Sequence, residues 1–314
     1  MENTPQVQTP QEAGVKLEEL KKKLEEYVKD LKGLVHEYDL PDFAPDNLPA
    51  ELEHVSKQVY NAKIVKSKKE VLTLVANALD EQVNKALEEG KALQNAYNNN
   101  NIANMFKSAV EIYANLFTIN TLVKYIEQYI NVLGFIKADV EAFTKKAKNT
   151  IAILANYISK NVRLNDDDAE ELGKDTIYYH DLAENWTDLE DALEQIEFEL
   201  DNDTELRRGT YKALTKTLGI MQKLHDEGVS YGHSAWEMIP YNDEEEKYKA
   251  EGLDVETFLL NIVEAYANFI ALKVVYDDVM SEYITNEKFE DALKKAINRA
   301  RDVIDIILNS YNNS

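Results

Sequence analysis

Acidic residues are concentrated near the middle of the chain, in the stretch LNDDDAEELGKD (Leu164–Asp175). It holds three consecutive aspartates, Asp166–Asp168, followed by Glu170. Clustered carboxylates are the ligands that Mg²⁺ takes beside substrate phosphates, so this stretch is a candidate metal site. A diphosphate substrate would also need basic side chains. The segment Asp166–Glu205 has 17 acidic residues and a single base.

The pattern Asp166-Asp167-x-x-Glu170 resembles the aspartate-rich motif of class I terpene synthases, which are all-helical proteins of similar length. In that family the motif binds Mg²⁺, and a second metal motif lies on a later helix. The nearest second motif here is DDVMSEYITNE (Asp277–Glu287), whose last acid departs from the family spacing. The resemblance covers five residues. It implies a helical metal-dependent enzyme with Asp166, Asp167 and Glu170 as the carboxylate site.

A structural interpretation of the same residues competes with this one. An aspartate at a helix entry accepts hydrogen bonds from free N–H groups, and its charge suits the positive end of the helix dipole. No second chemical motif supports an enzyme. The five histidines do not recur at ligand spacing, and the sequence has no glycine-rich phosphate loop and no G-x-S-x-G motif. We therefore predict a linker with a helix N-cap, no catalytic residues, no metal site and no cofactor.

The composition predicts an all-α protein. Hydrophobic residues make up 44% of the 314 positions, which is enough for a sizeable core, and only 10 glycines and 6 prolines interrupt the chain. Apolar residues recur at helical spacing in most segments, and none shows the alternation of a strand. We place the helices at residues 15–38, 51–60, 67–97, 102–162 with a bend near 131–134, 182–200, 205–227, 255–283 and 286–311.

The second half of the chain resembles the first at an offset of about 152 residues. VEIYAN (Val110–Asn115) matches VEAYAN (Val263–Asn268), and KKAKN (Lys145–Asn149) matches KKAIN (Lys294–Asn298). Several matches in the same order indicate an internal duplication, although helical sequences rich in Lys, Glu and Ala also align by chance. The prediction is two related helical-bundle units of about four helices each, 15–162 and 163–314, after a disordered tail at 1–14.

Charge is distributed unequally between these halves. Residues 1–162 hold 20 basic and 22 acidic side chains, whereas residues 163–314 hold 15 and 36, so the second half carries nearly all of the net charge of −23. Glu184, Asp188, Asp191 and Glu194 lie opposite the apolar stripe of a helix that includes Trp186. They form either a solvated face or a docking surface for a basic partner. Trp236, in a segment predicted to be a loop, is a second candidate contact.

These observations favour a non-enzymatic helical scaffold or interaction protein, and the composition is also typical of a structural or accessory protein of a virus or mobile element. Its partner would be a basic protein, with self-association through the near-neutral first half. An acidic mimic of nucleic acid is a further alternative, and direct nucleic-acid binding is not expected. The N-terminus lacks the features of a secretion signal and no segment is predicted to span a membrane, so we expect a soluble, cytoplasmic or virion-associated protein.

Overall fold

A computed structural model describes residues 18–23, 48–99, 101–132, 134–180 and 187–313. Within these ranges the fold is all-α apart from one short hairpin, which confirms the predicted class. Residues 18–23 are helical. The rest of the helix predicted at 15–38 lies outside the described residues, as do the predicted tail at 1–14, Glu184 and Trp186.

Nine further α-helices form the described part of the bundle. They are α1 (Leu48–Asn61), α2 (Lys66–Asn98), α3 (Ile102–Glu127), α4 (Gly134–Asn161), α5 (Asp166–Thr176), α6 (Thr187–Asn202), α7 (Arg208–Glu237), α8 (Val255–Asp278) and α9 (Glu287–Asn312). Single 3₁₀ turns follow α5 and α8, at Ile177–Tyr179 and Met280–Glu282. Strands β1 (Tyr241–Asn242) and β2 (Lys247–Tyr248) pair antiparallel, too short to show alternation in the sequence.

Asparagine and aspartate side chains set the starts of four helices. Asn101 Oδ1 accepts the Asn104 N–H at 3.0 Å before α3, and Asn286 Oδ1 accepts the Phe289 N–H at 2.9 Å before α9. Asp254 caps α8 in the same way. At α5 the cap is Asn165, and it exchanges hydrogen bonds with Asp168 in a capping box. The helix entry predicted at the aspartates is therefore correct, but the capping residue precedes them.

Helices α3 and α8 form the centre of the bundle and pack against each other. Helix α3 also contacts α2 and α4, while α8 contacts α4, α7 and α9. Both central helices are buried on most of their faces, as expected of helices that are apolar all round. Buried side chains of the two halves form one hydrophobic cluster across the described residues.

The predicted helices lack α5, which lies where a linker with a helix N-cap is predicted. A second error is at GVSYGH (residues 228–233), which the sequence suggests is a loop. Helix α7 instead continues through it to Glu237. Gly228 and Gly232 are buried on its inner face, where an added Cβ would lie 2.7 Å from the Phe269 ring and 2.4 Å from the Tyr179 ring. The glycines therefore permit close helix packing and do not form a turn.

Candidate functional site

Helix α6 exposes the acidic face predicted from the sequence. Asp188, Asp191 and Glu194 are exposed, while the opposite stripe is buried and packs against α7 and α9. No carboxylate of α6 forms an ion pair with any described residue. Two of them accept hydrogen bonds from neutral side chains: Glu197 from Gln222 and Asp201 from Tyr211. The fourth predicted residue, Glu184, lies outside the described residues.

Phe198 is an apolar residue on this acidic face that the sequence analysis missed. Its side chain is 69% exposed. Glu194 lies one turn earlier and Asp191 two turns earlier on the same side of the helix, and Glu197 and Glu199 flank it in sequence. Helical spacing could have predicted this exposure, because Phe198 lies outside the apolar stripe of α6 and so cannot pack into the core.

Trp236 lies at the end of α7 and is half-buried, so the loop predicted around it is wrong. Its indole N–H donates to the Tyr248 hydroxyl at 3.0 Å. Its ring centroid is 4.0 Å from that of His180, which stacks on His233 at 4.8 Å. These contacts join α7 to the 3₁₀ turn and the hairpin, so the Trp236 ring makes intramolecular contacts.

The carboxylates of the aspartate-rich stretch hold the hairpin against α5. Asp166 Oδ1 accepts the Ala250 N–H at 3.1 Å, and Glu170 Oε1 accepts the Tyr248 N–H at 2.6 Å. The bond from Ala250, followed by that from Lys249, lowers the pKa of Asp166. No hydrogen bond or ion pair joins Asp167 to a described residue. Among the described residues no three potential ligands come together to hold a metal ion.

The two VExYAN segments cross-pair at the contact of α3 with α8. The Tyr113 hydroxyl donates to both carboxylate oxygens of Glu264, at 2.8 and 2.9 Å, and the Tyr266 hydroxyl donates to Glu111. Glu264 is only 9% exposed. Burial, and then the neighbouring carboxylate, raise the pKa of both tyrosines, which keeps them protonated donors.

A basic side chain of the following helix completes each of these two pairs. Lys148 in α4 lies 3.0 Å from Glu264, and Arg301 in α9 donates to the Tyr266 hydroxyl at 3.0 Å. Near the ends of the same two helices, the rings of Tyr157 and Tyr311 meet edge to face at 6.4 Å. Both the Lys148 contact and the Tyr157–Tyr311 contact therefore join residues of the first half to residues of the second half, at positions where the two halves align.

Glu51 in α1 and Asp139 in α4 have carboxyls close enough to repel each other. Asp139 is 1% exposed, and each residue has one oxygen without a hydrogen-bond partner in the described part of the chain. Burial, followed by repulsion from Asp139, raises the pKa of Glu51 to about 7. Such a group is protonated over part of the neutral range.

We expect the Glu51 carboxyl to make stability fall with rising pH. A carboxyl with a raised folded pKa binds more protons in the folded state, so its contribution is complete below about pH 4.5 and is lost towards pH 7. Glu51→Gln should therefore flatten the decline of the melting temperature across this window. Glu53→Gln, which changes an exposed carboxyl of the same helix, is the control. Equal pH slopes for Glu51→Gln and wild type would contradict the assignment.

One described helical segment, Val255–Glu282, is long and apolar enough to cross a membrane by length and composition. Of its most apolar window, 72% is buried inside the protein. Core helices of soluble proteins meet the same criteria, so the expected absence of a membrane span stays a prediction.

In comparisons with family models, curated proteins and solved structures, no match to this chain was found.

Proposed function

We propose that this chain is a non-enzymatic interaction protein that binds a positively charged protein segment through the exposed face of α6. One observation carries the proposal. Asp191 and Glu194 share a face with the exposed Phe198, Asp188 borders that face, and none of the three carboxylates has a cationic partner among the described residues.

Electrostatics favours a basic partner at this face. Like charges one turn apart repel and reduce the stability of the helix, and bound cationic side chains would relieve that repulsion. An acidic surface also accelerates encounter with a basic molecule, and added salt weakens this attraction. The proposal therefore requires binding that decreases as ionic strength increases.

Phe198 would provide the apolar contact of the same interface. Buried aromatic anchors dominate the energetics of many protein interfaces, while the charged rim mainly sets partner choice and association rate. A partner that combines basic side chains with an apolar pocket or residue fits both features. The face would not suit nucleic acid, whose phosphates its carboxylates repel.

The first test is a pull-down of partners at roughly 50 and 150 mM salt, where screening differs. Wild type is compared with the triple variant Asp188→Asn, Asp191→Asn, Glu194→Gln. We expect wild type to capture a basic protein, and the variant to bind it about tenfold more weakly, since each exposed charge contributes roughly 0.5 kcal/mol. Phe198→Ala should weaken capture further, by about 2 kcal/mol for an anchor residue.

The matched control is Asp243→Asn, Glu244→Gln, Glu251→Gln, which removes the same charge from exposed positions in and after the hairpin. It should capture the partner as wild type does. Light scattering on all variants fixes the oligomeric state and tests self-association separately. If both triple variants lost partner binding equally, net charge alone would explain the effect. If all variants captured the partner equally, the α6 face would not be the binding site.

The predicted duplication is part of the same proposal. After a duplication, one copy can acquire acidic residues while the other copy stays near neutral. Support comes from the reciprocal bonds of Tyr113 with Glu264 and of Tyr266 with Glu111, each 153 residues from its counterpart. Reciprocal contacts of this kind are typical of a two-fold interface between identical units. We propose that two fused copies of one helical unit share that interface and that only the second copy acquired the acidic face.

A further inference from the structure

Helices α2, α3, α8 and α9 enclose a groove of about 840 Å³. No described residue of α6 lines it, so it is separate from the interaction proposed above. Its apolar lining comes from Ile270 and Val274 of α8 and from Leu293 and Ile297 of α9. Charged residues, with Gln82, Asn115, Asn298 and Tyr276, line the rest, so the groove offers both an apolar floor and polar walls.

Gln82 of α2 lines this groove and is 1% exposed. Neither its Oε1 nor its Nε2 has a hydrogen-bond partner among the described residues. A buried side-chain amide without partners is destabilising, so a glutamine here is unfavourable unless a ligand forms hydrogen bonds with it. It needs both a donor and an acceptor, which a peptide group supplies through its N–H and C=O.

Unpaired carboxylates lie at one end of the groove. Asp278 of α8 and Asp291 of α9 form no hydrogen bond or ion pair with any described residue, whereas the neighbouring Glu81 pairs with Lys85 at 3.1 Å and Asp277 pairs with Lys273. Burial, and then repulsion by Glu81 and Asp277, raise the pKa of Asp278. A cation bound at this end would relieve that repulsion.

Arg301 lies at the other end of the groove. Its guanidinium donates to the Tyr266 hydroxyl and forms no ion pair with a described residue, although Glu111, which also lines the groove, and Asp305 interact with its charge. Ten residues of α9 separate it from Asp291, which is about 15 Å at 1.5 Å per residue. An extended chain of four or five residues covers that distance at about 3.3 Å each.

We propose that this groove binds a short peptide with free termini. Its ammonium group lies beside Asp278 and Asp291, its carboxylate is bound by Arg301, a peptide group pairs with the Gln82 amide, and small apolar side chains contact the floor. A polyamine would match the acidic end, but it would leave Gln82 Nε2 without an acceptor and would bring no further anion to Arg301.

Calorimetric titration of the full chain with the probe Ala-Leu-Ala-Leu-Ala tests the proposal. Acetylating the N-terminus or amidating the C-terminus should each weaken binding at least tenfold. In Asp278→Asn protein the acetyl group should make little further difference, and in Arg301→Gln protein the amide should make little further difference. Equal affinity for free and capped peptides, equal affinity for spermidine, or no binding at millimolar peptide would overturn it.

Gln82→Met separates a binding role from a structural one. It should weaken peptide binding at least tenfold, because the hydrogen bonds to the amide are lost. It should also raise the melting temperature of the free protein, because it removes an unpaired buried amide. Gln222→Met, on the outer surface of α7, is the control and should leave peptide affinity unchanged. If Gln82→Met protein bound the peptide with wild-type affinity, Gln82 would not be part of the binding site.

Discussion

Replacing Gly232 with valine should lower the free energy of unfolding by about 3 kcal/mol, the upper part of the range for overpacked cores. A Cβ at this position would lie 2.4 Å from Tyr179 Cγ and Cδ2, and 2.8 Å from its Cβ. The ring has nowhere to move. It is stacked on Phe269 at 5.5 Å, and its hydroxyl donates to the Ala296 carbonyl.

Gly219→Val is the matched control for this substitution. Gly219 lies in the same helix, and an added Cβ there meets no atom within 4 Å. Valine is slightly better than glycine inside a helix, so the change should stay within about 0.5 kcal/mol and favour folding. Urea denaturation of both variants measures the difference. Similar stability for the two would contradict the close contact between α7 and Tyr179.

Removing the Tyr113 hydroxyl should have the second-largest effect on stability. Tyr113→Phe leaves the Glu264 carboxylate, which is 9% exposed, without its donor at 2.8 Å, although Lys148 remains. Hydrogen bonds to charged groups contribute about 1.5–3 kcal/mol, and we expect a loss near 2 kcal/mol. The equivalent change, Tyr266→Phe, should cost about 1–2 kcal/mol because Glu111 is less buried.

Tyr211→Phe controls for the loss of a hydroxyl as such. Its hydroxyl also donates to a carboxylate, that of Asp201 at 2.9 Å, but at the surface. The expected change in the free energy of unfolding is much smaller than that of Tyr113→Phe, because the bond is exposed to water. Chemical denaturation of all three variants tests the argument. If Tyr113→Phe were as mild as Tyr211→Phe, the cross-pairing of the two VExYAN segments would not stabilise the fold.

The sequence predicts most helices well because their ends carry local signals. Asparagines and aspartates stand at the starts of α3, α5, α8 and α9, and each caps its helix. The same local reasoning fails at Gly228 and Gly232. Glycine favours loops in isolation, yet here close contacts with Phe269 and Tyr179, residues distant in sequence, require it inside a helix.

The same contrast applies to the candidate sites: a site within one helix can be predicted from the sequence, whereas a site built from several helices cannot. The acidic face of α6 follows from helical spacing within one segment, so the sequence located Asp188, Asp191 and Glu194. The groove could not be found that way, because Gln82, Asp278 and Arg301 come from three separate helices. The repeated VExYAN segments are visible in the sequence, but their reciprocal bonding depends on how α3 packs against α8.

Hydrogen exchange of the chain with and without its captured basic partner tests the central claim most directly. Binding at the proposed face should slow amide exchange in α6, Thr187–Asn202, and leave α2 and α4 unchanged. The protection should decrease with added salt and be lost in Asp188→Asn, Asp191→Asn, Glu194→Gln protein. Protection confined to other helices, or protection of α6 that persists in the triple variant, would contradict the acidic face as the binding site.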